Sequence, residues 1–197
     1  MQLKSLLRFQ RIFTKRNLST VTKAYQDVAP RKASFAPVLE TSSLAQEIHQ
    51  HLSCDSPNLD AMAKYYFDGQ GKSVRPSVTL AMASAVNSHL GSGCETVAKL
   101  QKRIAMIGEM FHTSSLVHDD VIDRAESRRG KQSICSRWTT SQSIQSGVYI
   151  LGISKMLLAQ TDNPEVISAM SQILTDLVCG ELQQMSARLA GQNIIRD

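Results

Sequence analysis

ETVAKLQKRIAMIGEMFHTSSLVHDDVID, residues 95–123, decides the fold class. Val97, Leu100, Ile104, Ile107 and Phe111 recur at steps of three and four, which marks an apolar stripe on a long helix. Beside it runs a second row, Gly108, His112, Ser115, Asp119 and Asp123, small at one end and acidic at the other. Residues four apart share a face, about 6 Å apart along the axis. Asp119 and Asp123 are therefore neighbours, His112 falls on nearly the same face, and Asp120 stands about 100° round. Carboxylates that close repel unless a cation lies between them. Aspartate oxygens with water suit Mg²⁺, whose usual further ligand is a phosphate. Arg128 and Arg129 follow and can take the remaining phosphate oxygens bidentately. The row predicts a Mg²⁺–diphosphate site on a helix that lines a cavity.

Upstream, Asp68-Gly-Gln-Gly-Lys72-Ser-Val-Arg75-Pro76 precedes a helix predicted over 76–90. Pro76 fits its first turn, so Lys72 and Arg75 stand where the free N–H groups already favour an anion. Gly71-Lys72-Ser73 matches the end of a Walker A loop. That motif needs a glycine where Tyr66 stands, and no strand precedes it.

The remaining chain also reads as helices. Leu39, Leu44, Ile48 and Leu52 recur at helical spacing after Val38, with Ser42 and Ser43 available as N-caps. A short helix is predicted through Ala61–Phe67, one over Thr140–Gln160, and one from Asn163-Pro164 to about Ala187 with Val166, Met170, Ile173, Leu174 and Leu177 inward. Ala125–Lys131 is a polar, basic loop, and nothing reads as a sheet. The expectation is an all-α fold.

Of 22 basic residues, five lie in positions 1–18 with no acid; the remaining 17 balance 17 acidic ones. The basic charge therefore belongs to the leader and gives no ground for nucleic-acid binding. Arg-rich, acid-free and amphipathic, residues 1–18 predict a mitochondrial transit peptide and the matrix as destination. Residues 19–37, with Pro30 and Pro37, predict a linker, and 38–197 the folded part. No stretch reaches the ~18 apolar residues of a membrane span. Cys54, Cys94, Cys135 and Cys179 have no ligand spacing and read as isolated thiols.

A lone Asp-Asp-x-x-Asp is common on solvated helix faces. Here it joins Gly-Lys-x-x-Arg-Pro, His112 and Arg-Arg-Gly in one helical framework. In these segments, and in Asp176-Leu-Val-Cys-Gly-Glu-Leu-Gln-Gln, the chain resembles the trans-isoprenyl diphosphate synthases, and among them the long-chain polyprenyl synthases of ubiquinone biosynthesis. The resemblance implies a prenyl synthase helical fold of which 38–197 is the N-terminal part. It implies that Asp119 and Asp123 bind Mg²⁺ with Asp120 in support, that Arg128 contacts the allylic diphosphate, and that Lys72, Arg75, His112 and Arg129 bind isopentenyl diphosphate. Ser114, five residues before Asp119, is small where a bulky aromatic would stop the growing chain, which implies a long product. A homo- or hetero-oligomer with another polyprenyl synthase subunit is expected, with peripheral membrane contact for product release. The chain departs from the family pattern at Gly147-Val148, where Gly-Asp is usual, and ends before a second aspartate-rich motif.

The competing expectation is a truncated, non-catalytic subunit that pairs with a full-length synthase. A third, a His-Asp metal phosphohydrolase, would need His89 and Asp176 to join His112, His118 and Asp119.

Overall fold

The computed structural model describes residues 42–69, 73–91 and 93–194, with side chains through Ala187. The predicted leader, the linker and Lys72 lie outside the described residues. Among the described residues seven helices follow in chain order: α1 Ser42–Leu52, α2 Pro57–Lys64, α3 Val74–Leu90, α4 Glu95–Ile122, α5 Ile134–Arg137, α6 Thr140–Ala159 and α7 Pro164–Ile194. Between α4 and α5 sit two-residue strands, β1 Ser127–Arg128 and β2 Lys131–Gln132, paired antiparallel with Arg128 opposite Lys131. The fold is all-α apart from this hairpin, which the sequence reading took for an irregular loop. Its turn residues Arg129 and Gly130 both have positive φ (52° and 78°), the mark of a type I′ turn.

α4 is the central helix, and its most extensive contact is with α6. α6 offers it a face of small residues: Ser143, Ser146, Gly147 and Ser154 are buried. The backbones approach closely there. Ser114 Oγ donates to the Gly147 carbonyl at 2.9 Å, and the His118 ring lies directly over Gly147. The polar run before α6 starts this helix. Thr139 and Gln142 form a reciprocal capping box, and Ser143 Oγ donates to the Thr139 carbonyl at 2.9 Å.

The core gathers Leu44, Ile48 and Leu52 of α1, Met62 of α2, Tyr66 and Phe67, Ile107, Met110, Phe111 and Val117 of α4, and Ile150, Leu157 and Leu158 of α6. The predicted stripe on α4 holds only from its middle onward. Val97 and Leu100 are exposed, because the first turns of α4 meet α3, through the paired amides of Asn87 and Gln101, and no further element covers them. Ile173 on α7 is likewise exposed, contrary to expectation. Ser43 lies in the first turn of α1, and its hydroxyl accepts from Lys102 of α4 at 3.0 Å. Among the described residues no helix is long and apolar enough to cross a membrane. The four cysteines are free thiols, as expected.

A Cβ at Gly147 would lie 2.5 Å from His118 Nε2, whereas one at Gly152, also inside α6, meets nothing. Gly152→Ala should stabilise the chain by up to about 1 kcal/mol through helix propensity. Gly147→Ala should forfeit that gain and lose about 1–2 kcal/mol by overpacking. Urea denaturation of the two variants, side by side, checks the difference.

Candidate active site

Asp120 organises the site. It is fully buried, 0% exposed, in the last turn of α4. Tyr66 Oη donates to its Oδ2, and Arg128 Nε donates to its Oδ1 at 2.5 Å. Tyr66 Oη in turn accepts the Ile134 N–H at 2.8 Å, so the phenol joins α4 to the start of α5. Burial and the Asp120 carboxylate together push the Tyr66 phenol well above its ordinary range, keeping it a donor. The segment from Ala125 to Ser136 is tied down at the same place. Cys135 Sγ donates to the Asp120 carbonyl at 3.1 Å, and Ser133 Oγ donates to the Ala125 carbonyl and accepts the Ser136 N–H at 3.2 Å. The middle aspartate of Asp-Asp-x-x-Asp, off the row, therefore aims Arg128 from inside the protein. It does not face the cavity.

Asp119 is half-buried and Asp123 exposed, so their carboxylates remain on the open side of α4. Burial raises the Asp119 carboxyl above its ordinary range. Arg128 opposes this, while Asp123 and Asp120 add to it. Two neighbouring carboxylates open to solvent fit a divalent cation that takes few protein oxygens and completes its shell with water and phosphate. The two would supply that ion's protein oxygens. Among the described residues no three His, Cys, Asp or Glu converge on one metal position. The phosphohydrolase ligand set is accordingly not assembled: His89 is exposed on α3, and Asp176 accepts from Gln172 at 2.9 Å.

Beside the row lies a cavity of about 420 Å³. Its apolar side is Leu44, Ile48, Phe67 and Pro76; its polar side is Arg75, Arg129, Ser73 and Glu109. Ser73 caps α3 in a left-handed conformation (φ 45°, ψ 35°), placing Arg75 in the first turn of that helix. Arg129 reaches the same cavity from the type I′ turn. A non-glycine residue with φ of 52° costs on the order of 1 kcal/mol, a strain that places its guanidinium. Burial, and then Arg75, Arg129 and Arg128, lower the His112 imidazole to about 4. At neutral pH His112 is an uncharged ring in a cationic environment.

Arg75, His112 and Arg129 are thus brought together as expected, and Arg128 stands on the Asp119 side. Lys72 belongs to the chain segment between Gly69 and Ser73, outside the described residues. Ser114 is enclosed in the α4–α6 seam. Sequence reasoning gave no role to three residues. Tyr66 pairs with Asp120 across 54 positions, which no local pattern records. Glu109 stands three residues before His112 and could have been found as an acid beside the small/polar row. Glu181 of α7 has its carboxyl raised by burial and by the charge of Asp119, so α7 brings a further carboxylate toward the row.

The chain is thus all-helical apart from one short hairpin, with two arginines walling a half-apolar cavity. The chain belongs to the polyprenyl synthetase family, whose profile matches residues 56–194. It is 40% identical over 149 residues to the human all trans-polyprenyl-diphosphate synthase PDSS1; the match covers 76% of this chain and 36% of the human one. It is 34% identical over 173 residues to decaprenyl-diphosphate synthase subunit 1 of Schizosaccharomyces pombe, covering 79% and 46%. Among solved structures, a decaprenyl diphosphate synthase from Rhodobacter capsulatus superposes with a TM-score of 0.67 at 26% identity, covering 78% of this chain and 44% of that one. The chain thus spans less than half the length of these relatives.

Two measurements check this geometry. Asp120→Asn turns one of the two acceptor oxygens into a donor and leaves the Arg128 charge uncompensated, which should cost about 3 kcal/mol in urea denaturation, while Asp119→Asn should stay within about 0.5 kcal/mol of the parent. The His112 ring, followed by NMR, should titrate near pH 4 and move upward when inorganic pyrophosphate binds, since an adjacent anion favours the imidazolium. The sign for stability follows. Between pH 6.5 and 4 the unfolded chain takes up a proton that folded His112 refuses, so this group withdraws stability as the pH falls through that window.

Proposed function

We propose that this chain contributes the substrate-binding half of a trans-prenyltransferase that condenses isopentenyl diphosphate with an allylic diphosphate. The product is the long polyprenyl diphosphate of the ubiquinone side chain, made in the mitochondrial matrix. The observation that carries the reading is the cavity walled by Arg75 and Arg129, whose wall residue Glu109 lies on the same helix as the Asp119–Asp123 pair. The names of the relatives, decaprenyl and polyprenyl diphosphate synthases, support the substrate class and a long product.

In this reading Asp119 and Asp123 hold Mg²⁺, which when bound neutralises the charge developing on the allylic diphosphate as its C–O bond ionises. Arg128, aimed by Asp120, donates to the same diphosphate and withdraws no mobility from the metal ligands. Arg75 and Arg129 hold the diphosphate of isopentenyl diphosphate, joined by Lys72 and by a neutral His112 offering an N–H. Leu44, Ile48 and Phe67 keep water from the apolar end. The alkene then attacks the allylic carbon and loses a proton. Ser114 is small where a bulky aromatic would stop the growing chain, and its hydroxyl is turned into the α4–α6 seam.

A second reading, a non-catalytic subunit that pairs with a complete synthase, is favoured by one observation. Val74, Val78, Met82, Val86 and Leu90 form an exposed apolar ridge on α3, each about half or more uncovered.

Joint replacement Asp119→Ala with Asp123→Ala should abolish Mg²⁺-dependent binding of an allylic diphosphate, read by calorimetry with and without the metal; unchanged binding would sink the first reading. Turnover of labelled isopentenyl diphosphate by the purified chain alone would rule out the second.

A further inference from the structure

Glu109 is the one acidic residue in the wall of the cationic cavity. It sits in the middle of α4, one turn before His112, and is shared by no ion pair among the described residues. Its Oε2 is buried and accepts no hydrogen bond. A buried carboxylate oxygen without a donor is unfavourable, and such a group in a folded protein calls for an explanation. Burial raises the Glu109 carboxyl above its ordinary range, and Arg75 and Arg129, which line the same cavity, oppose that rise. They reach the cavity from separate elements, the first turn of α3 and the hairpin turn, and among the described residues no hydrogen bond anchors either guanidinium. A guanidinium has donors along more than one edge, so it can meet a carboxylate with one edge and a phosphate with another.

We propose that Glu109 is a positioning residue for isopentenyl diphosphate, its carboxylate setting the directions from which Arg75 and Arg129 grip the diphosphate. The inference rests on the reading of the cavity given above. Its consequence has a sign that separates it from simple charge balance. A carboxylate in an anion site repels the anion, so on charge alone Glu109→Gln should tighten diphosphate binding. A carboxylate that aims two guanidinium groups makes the same substitution loosen it, because the arginines lose their orientation.

The test is calorimetric binding of isopentenyl diphosphate to the full chain with no allylic partner present, so that no turnover occurs. Glu109→Gln should weaken binding by about tenfold, and Glu109→Asp, which keeps the charge but retracts it by one methylene, by several-fold. Mg²⁺-dependent binding of geranylgeranyl diphosphate should be unchanged in both, a split that a general loss of structure would not produce. In an Arg75→Gln background, adding Glu109→Gln should weaken binding by much less than it does alone, because the two substitutions remove one interaction. Equal or tighter binding by both Glu109 variants overturns the inference and leaves the proposed function standing. Failure of the parent chain to bind isopentenyl diphosphate overturns both.

Discussion

A carboxylate with no access to water, held between a phenol and a guanidinium, is the constraint on which the site depends. Asp120 brings together the end of α4, the hairpin and, through Tyr66, the start of α5. A carboxylate in that position is tolerated only while both of its oxygens are paired. Tyr66 on Oδ2 and Arg128 on Oδ1 meet that condition together, so loss of one leaves the other's oxygen exposed to the same penalty. Placement of Arg128 is a by-product of solving this burial problem. Asp119, half-buried, and Asp123, exposed, stay on the open side of the same helix.

The second constraint is close approach. α4 and α6 come near enough for a hydroxyl on one to bond a main-chain carbonyl on the other, and small residues on α6 make this possible. The seam fixes α4 along its length, and with it the spacing of His112, Asp119 and Asp123. Glycine and serine here do for geometry what leucine does for the core on the opposite side of α4.

Much of this was legible in the residue pattern, and the reason differs by element. α4 was predicted over residues 95 to about 123 and spans Glu95–Ile122, because a stripe at steps of three and four admits one periodicity over that length. The acidic row and the two arginine groups were found because their spacing is local. Tyr66 was invisible because its partner lies 54 positions away. The hairpin was missed because strands of two residues have no periodicity to read, and arginine is not the residue a type I′ turn announces. The exposure of Val97, Leu100 and Ile173 was equally unreadable: apolar spacing tells which side of a helix wants cover, not whether cover is present.

Arg129 carries a consequence of its own. At φ of 52° its backbone suits glycine or asparagine better than arginine, so the fold alone would favour replacing it. The chain retains a residue that makes its turn less comfortable and its cavity more cationic. Folding and ligand capture therefore pull this position in opposite directions. Where a copy of this sequence is released from the need to hold an anion, Arg129 is the place where drift toward glycine meets no resistance from the fold, and its identity becomes a marker of whether the pocket is still in use.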